Sequence, residues 1–192
     1  KIIDIDIEKV KSYLKEGKVV VVAGFQGMNE KGDITTLGRG GSDTTAVALA
    51  AKLRGGCHIY TDVDGIYSVD PRLYKEAKKL DDISYEEMME MASLGAGIME
   101  PRAVEIGCKY QIPIYVASSQ HDITGTTIRG VDHNMEENVI TGLSISDDVL
   151  MVTISNLEFK VENIAIVFEK LAEANINVDM ISQTGPINGI VN

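Results

Sequence analysis

Two segments of the chain combine residue types that do chemistry. TLGRGGSD, residues 36–43, sets three glycines around Arg39 and ends in Ser42 and Asp43. Glycines let a backbone come close to a ligand, and where such a loop opens a helix the free N–H groups and the helix dipole attract an anion. Arg39 adds a planar fork matched to a carboxylate or phosphate. The pattern is neither the GxxxxGK[ST] phosphate loop nor the GxGxxG dinucleotide fingerprint. Taken alone it also fits a plain Gly-rich turn with an exposed arginine. The second segment is YTDVDGIYSVDPR, residues 60–72, which places Asp62 and Asp64 just past an apolar run and follows them with Tyr67 and Arg72. Sheets of α/β proteins bind ligands at the carboxyl ends of their strands; aspartates that merely make turns are the ordinary alternative.

Both segments need a scaffold, and the hydrophobic pattern supplies one. Ile7, Val10 and Leu14 recur at helical spacing over residues 6–16, and Gly17 stops that helix. VVVVAGF, residues 19–25, predicts a strand buried on both faces, as in a parallel sheet covered by helices. MNEKGDITTL predicts a β-excursion around an Asn-Glu-Lys-Gly turn. Ser42 or Asp43 is expected to cap a helix whose body, TTAVALAAKL, is apolar nearly all round, with Gly55 and Gly56 ending it. CHIYTDV (57–63) and PIYVAS (113–118) read as further core strands, and VDGIYSVDPRLYKEAKKL (63–80) as loop. SYEE, residues 84–87, is a capping box for the helix EEMMEMASL, and Pro101 suits the first turn of PRAVEIGCKY. Met88, Met89, Met91 and Met99 read as core filler on these helices. The KEAKK run, residues 75–79, reads as a solvated loop face.

Both chemical segments therefore stand at carboxyl ends of predicted strands and are expected to share one rim of the sheet. From about Ser119 to Asn138 the chain turns polar, the best candidate boundary. VLMVTIS, VENIAIVFEKLAEAN and NINVDMIS then predict a strand–helix–strand unit, too small to be comfortable alone.

Composition narrows the class. The chain has 192 residues, a formal net charge of −11 and 44% hydrophobic residues, which fits an ordinary globular protein and argues against general nucleic-acid binding or a polybasic membrane surface. No apolar run reaches the roughly 18 residues of a membrane span, and the N-terminus lacks signal-peptide features. A cytoplasmic setting is expected, with Cys57 and Cys108 as buried, reduced thiols. His58, His121 and His133 show no metal-ligand spacing, so no metal ligand is assigned.

In order and spacing, GFQG (24–27), TTLGRGGSD (35–43), YTDVDGIYSVDPR (60–72), MASLGAGIMEPRAVE (91–105) and IPIYVASS (112–119) resemble the aspartate kinases of the amino-acid kinase family. NINVDMISQ (175–183) resembles the first ACT unit that follows their kinase domain. The resemblance implies an α/β fold with a mainly parallel sheet sandwiched by helices, the C-terminal part of an amino-acid-kinase-like domain over residues 1–130. It implies a linker over 131–138 and a partial ferredoxin-like βαβ ACT unit over 139–192.

The activity it implies is phosphoryl transfer from Mg-ATP to the β-carboxylate of L-aspartate, giving aspartyl phosphate, with ATP and Mg²⁺ as cofactors. Phe25 and Gly27 would line the amino-acid side; Arg39 would hold a substrate carboxylate, with Gly40, Gly41 and Ser42 beside it; Asp43 would order the groups around the transferring phosphoryl. Ser42, Thr61, Asp62, Tyr67 and Arg72 would meet the nucleotide. Asn177, Asp179 and Gln183 would contact lysine or threonine as feedback effector at a homodimer interface. Two departures stand out. Relatives often carry a Lys and then a His in the segment reading GAGIMEP here, where this chain has Gly97 and Glu100. The family's Lys-Phe-Gly-Gly strand and loop, and the Ser and Glu residues that complete the aspartate site, are absent, so the chain is expected to be a fragment and inactive alone. The competing expectation is a non-catalytic amino-acid-binding or assembly module; a glutamate or uridylate kinase is a third.

Overall fold

A computed structural model describes residues 2–131, 140–145, 149–178 and 180–191. The chain divides into two compact units, Lys1–Asp147 and Asp148–Asn192.

In the first unit, helix α1 (Glu8–Lys15) ends at Gly17 in a left-handed conformation, and Ile7 just before it is buried. Strands β1 (Gln26–Met28) and β2 (Ile34–Thr36) form the expected antiparallel excursion. Its turn is tied by Asn29, whose side-chain oxygen accepts the N–H groups of Lys31 and Asp33. Helix α2 (Gly41–Leu53) buries Thr44, Val47, Ala48 and Ala50. Strand β3 (Cys57–Thr61), strand β4 (Asp82–Ser84), helix α3 (Tyr85–Ser93), helix α4 (Pro101–Tyr110), strand β5 (Ile114–Ser118) and strand β6 (Thr126–Arg129) follow.

Four of these strands make one sheet in the order β3-β5-β6-β4. β3 runs parallel to β5, from Cys57 opposite Ile114 to Thr61 opposite Ser118. β5 and β6 are antiparallel, while β4 and β6 are parallel. The sheet is thus mixed, with two parallel ladders and one antiparallel one. Short β6 comes from the stretch read as boundary and β4 from the residues between the loop and the capping box, where no strand was expected, and they build half of it. α2 packs on α4 and β3, and α3 packs on α4, β4 and β6. Ile83, Tyr85, Met88, Val104, Ile114, Val116 and Ile128 fill the space between them. Met88, Met91 and Met99 are buried, as core filler should be. Cys57 is buried and free, whereas Cys108 is free but only half-buried.

The expected strand over 19–25 does not form. Residues 18–24 have no ladder, and Val19 and Val21 are 91% and 93% exposed. A strand exists only when a neighbour accepts its hydrogen bonds. Among the described residues no strand pairs with this run, although β3 stands at the end of its sheet with one neighbour.

The first unit continues past the segment read as a linker, of which residues 132–139 lie outside the described residues. Residues 140–145 pack onto it. Leu143 N–H donates to the Ser68 carbonyl at 2.6 Å, and Ser144 Oγ to the Met91 carbonyl at 3.1 Å.

The second unit holds helix α5 (Val161–Glu173), as the periodicity predicts, and a two-residue antiparallel ladder between β7 (Leu157–Glu158) and β8 (Ile190–Val191). Where strands were expected, residues 149–155 and the described residues of 175–182 are irregular backbone instead, with Leu150, Met151 and Met180 strongly exposed. Apolar runs without a neighbouring edge cannot ladder. The βαβ arrangement read from the sequence is therefore reduced to its helix. No helix among the described residues is long and apolar enough to cross a membrane.

Candidate functional site

The Gly-rich loop is built around the entry to α2. Gly40 is the N-cap, left-handed at φ 65°, so the helix starts two residues earlier than a Ser42 or Asp43 cap would place it. No side chain caps this end. Serine and aspartate cap by folding back onto N–H groups ahead of them; here Ser42 and Asp43 already lie inside the first turn. Thr45 instead braces it from within, its hydroxyl donating to the Gly41 carbonyl at 2.7 Å and accepting the Phe25 N–H at 3.2 Å.

Phe25 has φ 68°, a left-handed conformation costly for a bulky residue, and such strain concentrates at functional sites. Its carbonyl accepts the Leu37 N–H at 2.8 Å. Phe25 and Leu37 so enclose Gly41 that a Cβ there would stand 2.9 Å from each side chain. Gly27, in β1, faces Leu37. Phe25, Gly27, Gly40, Gly41 and Ser42 are thus brought together with the exposed Arg39 on one loop–helix junction. Gly38 and Gly40 are both left-handed, which turns the loop tightly enough to leave the helix N-terminus open.

Asp43 is half-buried on the first turn of α2. Burial pushes its carboxyl above the usual carboxylate range; the Glu100 charge adds to that, and the N–H of Glu100, donated to it, pulls the other way. Glu100 is the N-cap of α4. Its role was not visible in the sequence, where it registered only as a departure from a pattern. Burial, and then the Asp43 charge, push the Cys57 thiol up to about 11, so it is neutral and inert near pH 7.

The second group of residues sits where β3 and β5 end. The Thr61 carbonyl accepts both the N–H of Ser119 at 2.8 Å and its hydroxyl at 3.0 Å, which ties the two strand exits together. Thr61 Oγ1 donates to Asp62 at 3.1 Å, and His121 Nδ1 lies 3.1 Å from Asp64. Tyr67 pairs with Lys79 in an isolated bridge. Buried Thr126 anchors the loop, accepting the Ile66 N–H at 2.8 Å and donating to the Leu80 carbonyl at 2.6 Å. Arg72 is turned onto Asp70, with Nη2–Oδ2 at 2.7 Å, and holds that carboxyl below its usual range. The Lys79 ammonium is spent on the Thr124 carbonyl. Thr126, His121 and Ser119 were missed by the sequence reading, because each acts across some 60 residues of chain and leaves no local pattern.

Among the described residues no hydrogen bond or ion pair links the Gly-rich junction to Asp62, Tyr67 or Arg72. Each group is braced by its own contacts. The best-formed cavities, of about 530 and 610 Å³, lie elsewhere, at the C-terminal ends of α2 and α4 around Arg54 and Tyr110. In the second unit Asn177 and Gln183 are exposed on irregular backbone; Asp179 lies outside the described residues.

Comparison with known proteins gives a consistent answer. The model of the amino acid kinase family matches residues 1–118. The chain is 51% identical over 186 residues to Aspartokinase 2 of Bacillus subtilis, covering 96% of this chain and 45% of that protein. The crystal structure of E. coli aspartokinase III in complex with aspartate and ADP superposes with a TM-score of 0.64 at 35% identity, over 88% of this chain and 37% of that one. The same enzyme in complex with lysine and aspartate gives 0.60 at 32% identity, with the same coverage. The chain thus spans less than half the length of the relatives it matches. On the family model over residues 1–118 and this identity, the chain belongs to the amino acid kinase family.

Proposed function

We propose that this chain supplies part of an aspartate kinase site, in which the γ-phosphoryl of Mg-ATP passes to the β-carboxylate of L-aspartate and gives aspartyl phosphate. The observation that carries the reading is the uncapped N-terminus of α2, walled by strained Phe25 and flanked by Arg39. Backbone N–H groups with no side-chain cap, at glycines packed against Phe25, Leu37 and Glu100, suit an anion. Similarity to aspartokinases supports the choice of amino acid.

Phosphoryl transfer needs positioning and charge stabilisation more than a protein nucleophile. In this reading Arg39 clamps a substrate carboxylate, and Gly40, Gly41 and Ser42 present N–H groups to it. Phe25 and Gly27 shape the amino-acid side, and Asp43 orders the groups around the transferring phosphoryl. Thr61, Asp62, Tyr67 and Arg72 form the nucleotide side. No three His, Cys, Asp or Glu among the described residues converge as a metal cage. Mg²⁺ bound with the nucleotide phosphates would supply charge neutralisation. The second unit serves as a regulatory ACT unit, joined to that of a second copy as a homodimer. Lysine or threonine is its effector, received by Asn177, Asp179 and Gln183. Its exposed apolar residues favour this assembly role.

The test is formation of aspartyl hydroxamate from aspartate, Mg-ATP and hydroxylamine by a polypeptide of the relatives' full length carrying this sequence. Turnover of the order of 10 s⁻¹ is expected. Phosphorylation of glutamate or a nucleotide in preference to aspartate would replace the reading with another kinase. Amino-acid binding without turnover would leave the non-catalytic module.

A further inference from the structure

Where β5 ends, its last residue sets a turn. Ser118 is buried, and its hydroxyl accepts the N–H groups of Gln120 at 3.1 Å and His121 at 3.2 Å. The backbone of His121 is thereby fixed by β5, and its Nδ1 lies 3.1 Å from Asp64 Oδ1. Asp64 belongs to the chain leaving β3. One side-chain pair thus joins segments 57 residues apart. It spans the carboxyl ends of two adjacent parallel strands, where α/β sheets receive their ligands.

Asp64 sits between fixed points. Before it, Thr61 is the last residue of β3, and its hydroxyl donates to Asp62 at 3.1 Å. After it, Gly65 has φ 141°, and a Cβ there would stand 2.7 Å from Thr126 Oγ1; Ile66 gives its N–H to that same hydroxyl at 2.8 Å. Tyr67 and Arg72 have braces of their own in the bridge to Lys79 and the pair with Asp70. Among the described residues the Asp64 carboxylate has one hydrogen-bond partner, His121. We propose that His121 is a positioning residue for the nucleotide side: by holding Asp64 it sets the direction in which the chain leaves β3, and with it the aim of the Asp62 carboxylate. The proposal rests on the reading of Thr61, Asp62, Tyr67 and Arg72 as that side. A broken pair leaves residues 62–64 free to swing while both anchors hold, so the loss falls on nucleotide binding and not on the fold.

The experiment is steady-state kinetics on the full-length polypeptide, unsubstituted and with His121→Ala, His121→Asn, Asp64→Ala and the pair His121→Ala with Asp64→Ala. The Asp64 side chain is 30% exposed and that of His121 60%, so water competes for the bond and its loss is modest in size. His121→Ala should raise KM for ATP roughly three- to tenfold, the equivalent of one net hydrogen bond, and leave KM for aspartate unchanged. His121→Asn keeps a donor for Asp64 and should recover much of the affinity. In the double variant the two losses should not add, because each substitution removes the same bond. A KM for ATP unmoved in His121→Ala overturns the proposal. So do two KM values that rise alike, which a purely structural role would give, and losses that add in the double variant. Failure of the kinase reading looks different: the unsubstituted polypeptide then forms no hydroxamate, and the proposal falls with that reading.

Discussion

Phe25 closes over Gly41: its Cδ2 and Cα stand 2.9 and 3.3 Å from where a Cβ on Gly41 would be, with Leu37 Cβ equally near on the other side. Neither neighbour is the loose end of a flexible chain. Phe25 is pinned by hydrogen bonds to Thr45 and Leu37, and its left-handed backbone leaves it little room to retreat. Glycine at the first position of α2 is thus a demand of packing at the site.

Gly41→Ala should therefore be destabilising, although alanine is the better helix former. Overpacking of this kind costs about 1–3 kcal/mol. Urea unfolding of the chain measures it. Stability equal to or above that of the unsubstituted chain would mean that Phe25 does not seal the loop.

Arg39→Lys should raise KM for aspartate roughly tenfold in a polypeptide of full length, because lysine loses one charge-assisted bond of the bidentate fork. KM for ATP should barely change. Arg72→Ala should do the reverse, and since Arg72 pairs with Asp70, Asp70→Asn should mimic part of that effect. Steady-state kinetics with each substrate varied decides it. Equal effects on both substrates would erase the division between amino-acid and nucleotide sides.

The capping box gives a stability prediction with a pH sign. Ser84 Oγ accepts the Glu87 N–H at 3.1 Å, and Glu87 Oε2 accepts the Ser84 N–H at 3.0 Å. Thr141 Oγ1 donates to the other Glu87 oxygen. Burial pushes Glu87 up, but the hydrogen bonds from Ser84 and Thr141 outweigh it and leave the carboxyl below its usual range. A depressed folded pKa stabilises above the unfolded value, and that stability is lost as pH falls through the folded one. Ser84→Ala should cost about 1 kcal/mol near neutral pH. Glu87→Gln should flatten the loss of stability on acidification. Denaturant midpoints between pH 3 and 7 test both, and an acid limb identical in Glu87→Gln would exclude Glu87 as its source.

Assembly is tested by light scattering on the full-length polypeptide. A dimer is expected at micromolar concentration, built on the apolar residues that α5 and its flanking segments expose. Asn177→Ala and Gln183→Ala should weaken inhibition by lysine or threonine without dissociating it. A monomer would sink the assembly claim, and unchanged inhibition in both variants would remove these residues from the effector site.

What could be read from the sequence was local. Among the described residues all five helices were expected, α1 and α5 from their apolar spacing and α2 from an apolar body ended by glycines, and the Ser84–Glu87 box, Pro101 at the head of α4 and Gly17 after α1 act within a few residues of themselves. β3 and β5 were legible as apolar runs between turn signals. The site's residue types were legible too, since glycines around an arginine constrain what a loop can bind. Pairing was not legible. β4 and β6 are too short to show a period, and they became strands only by meeting each other and β5. The stronger run over 19–25 found no neighbour and stayed exposed, because a strand's hydrogen bonds are completed by another segment and never by its own. For the same reason the charge environment of Asp43 was hidden. Glu100 is remote in the chain, and only the packing of α2 against α4 lays its side chain on Gly40 and brings its charge to bear on Asp43.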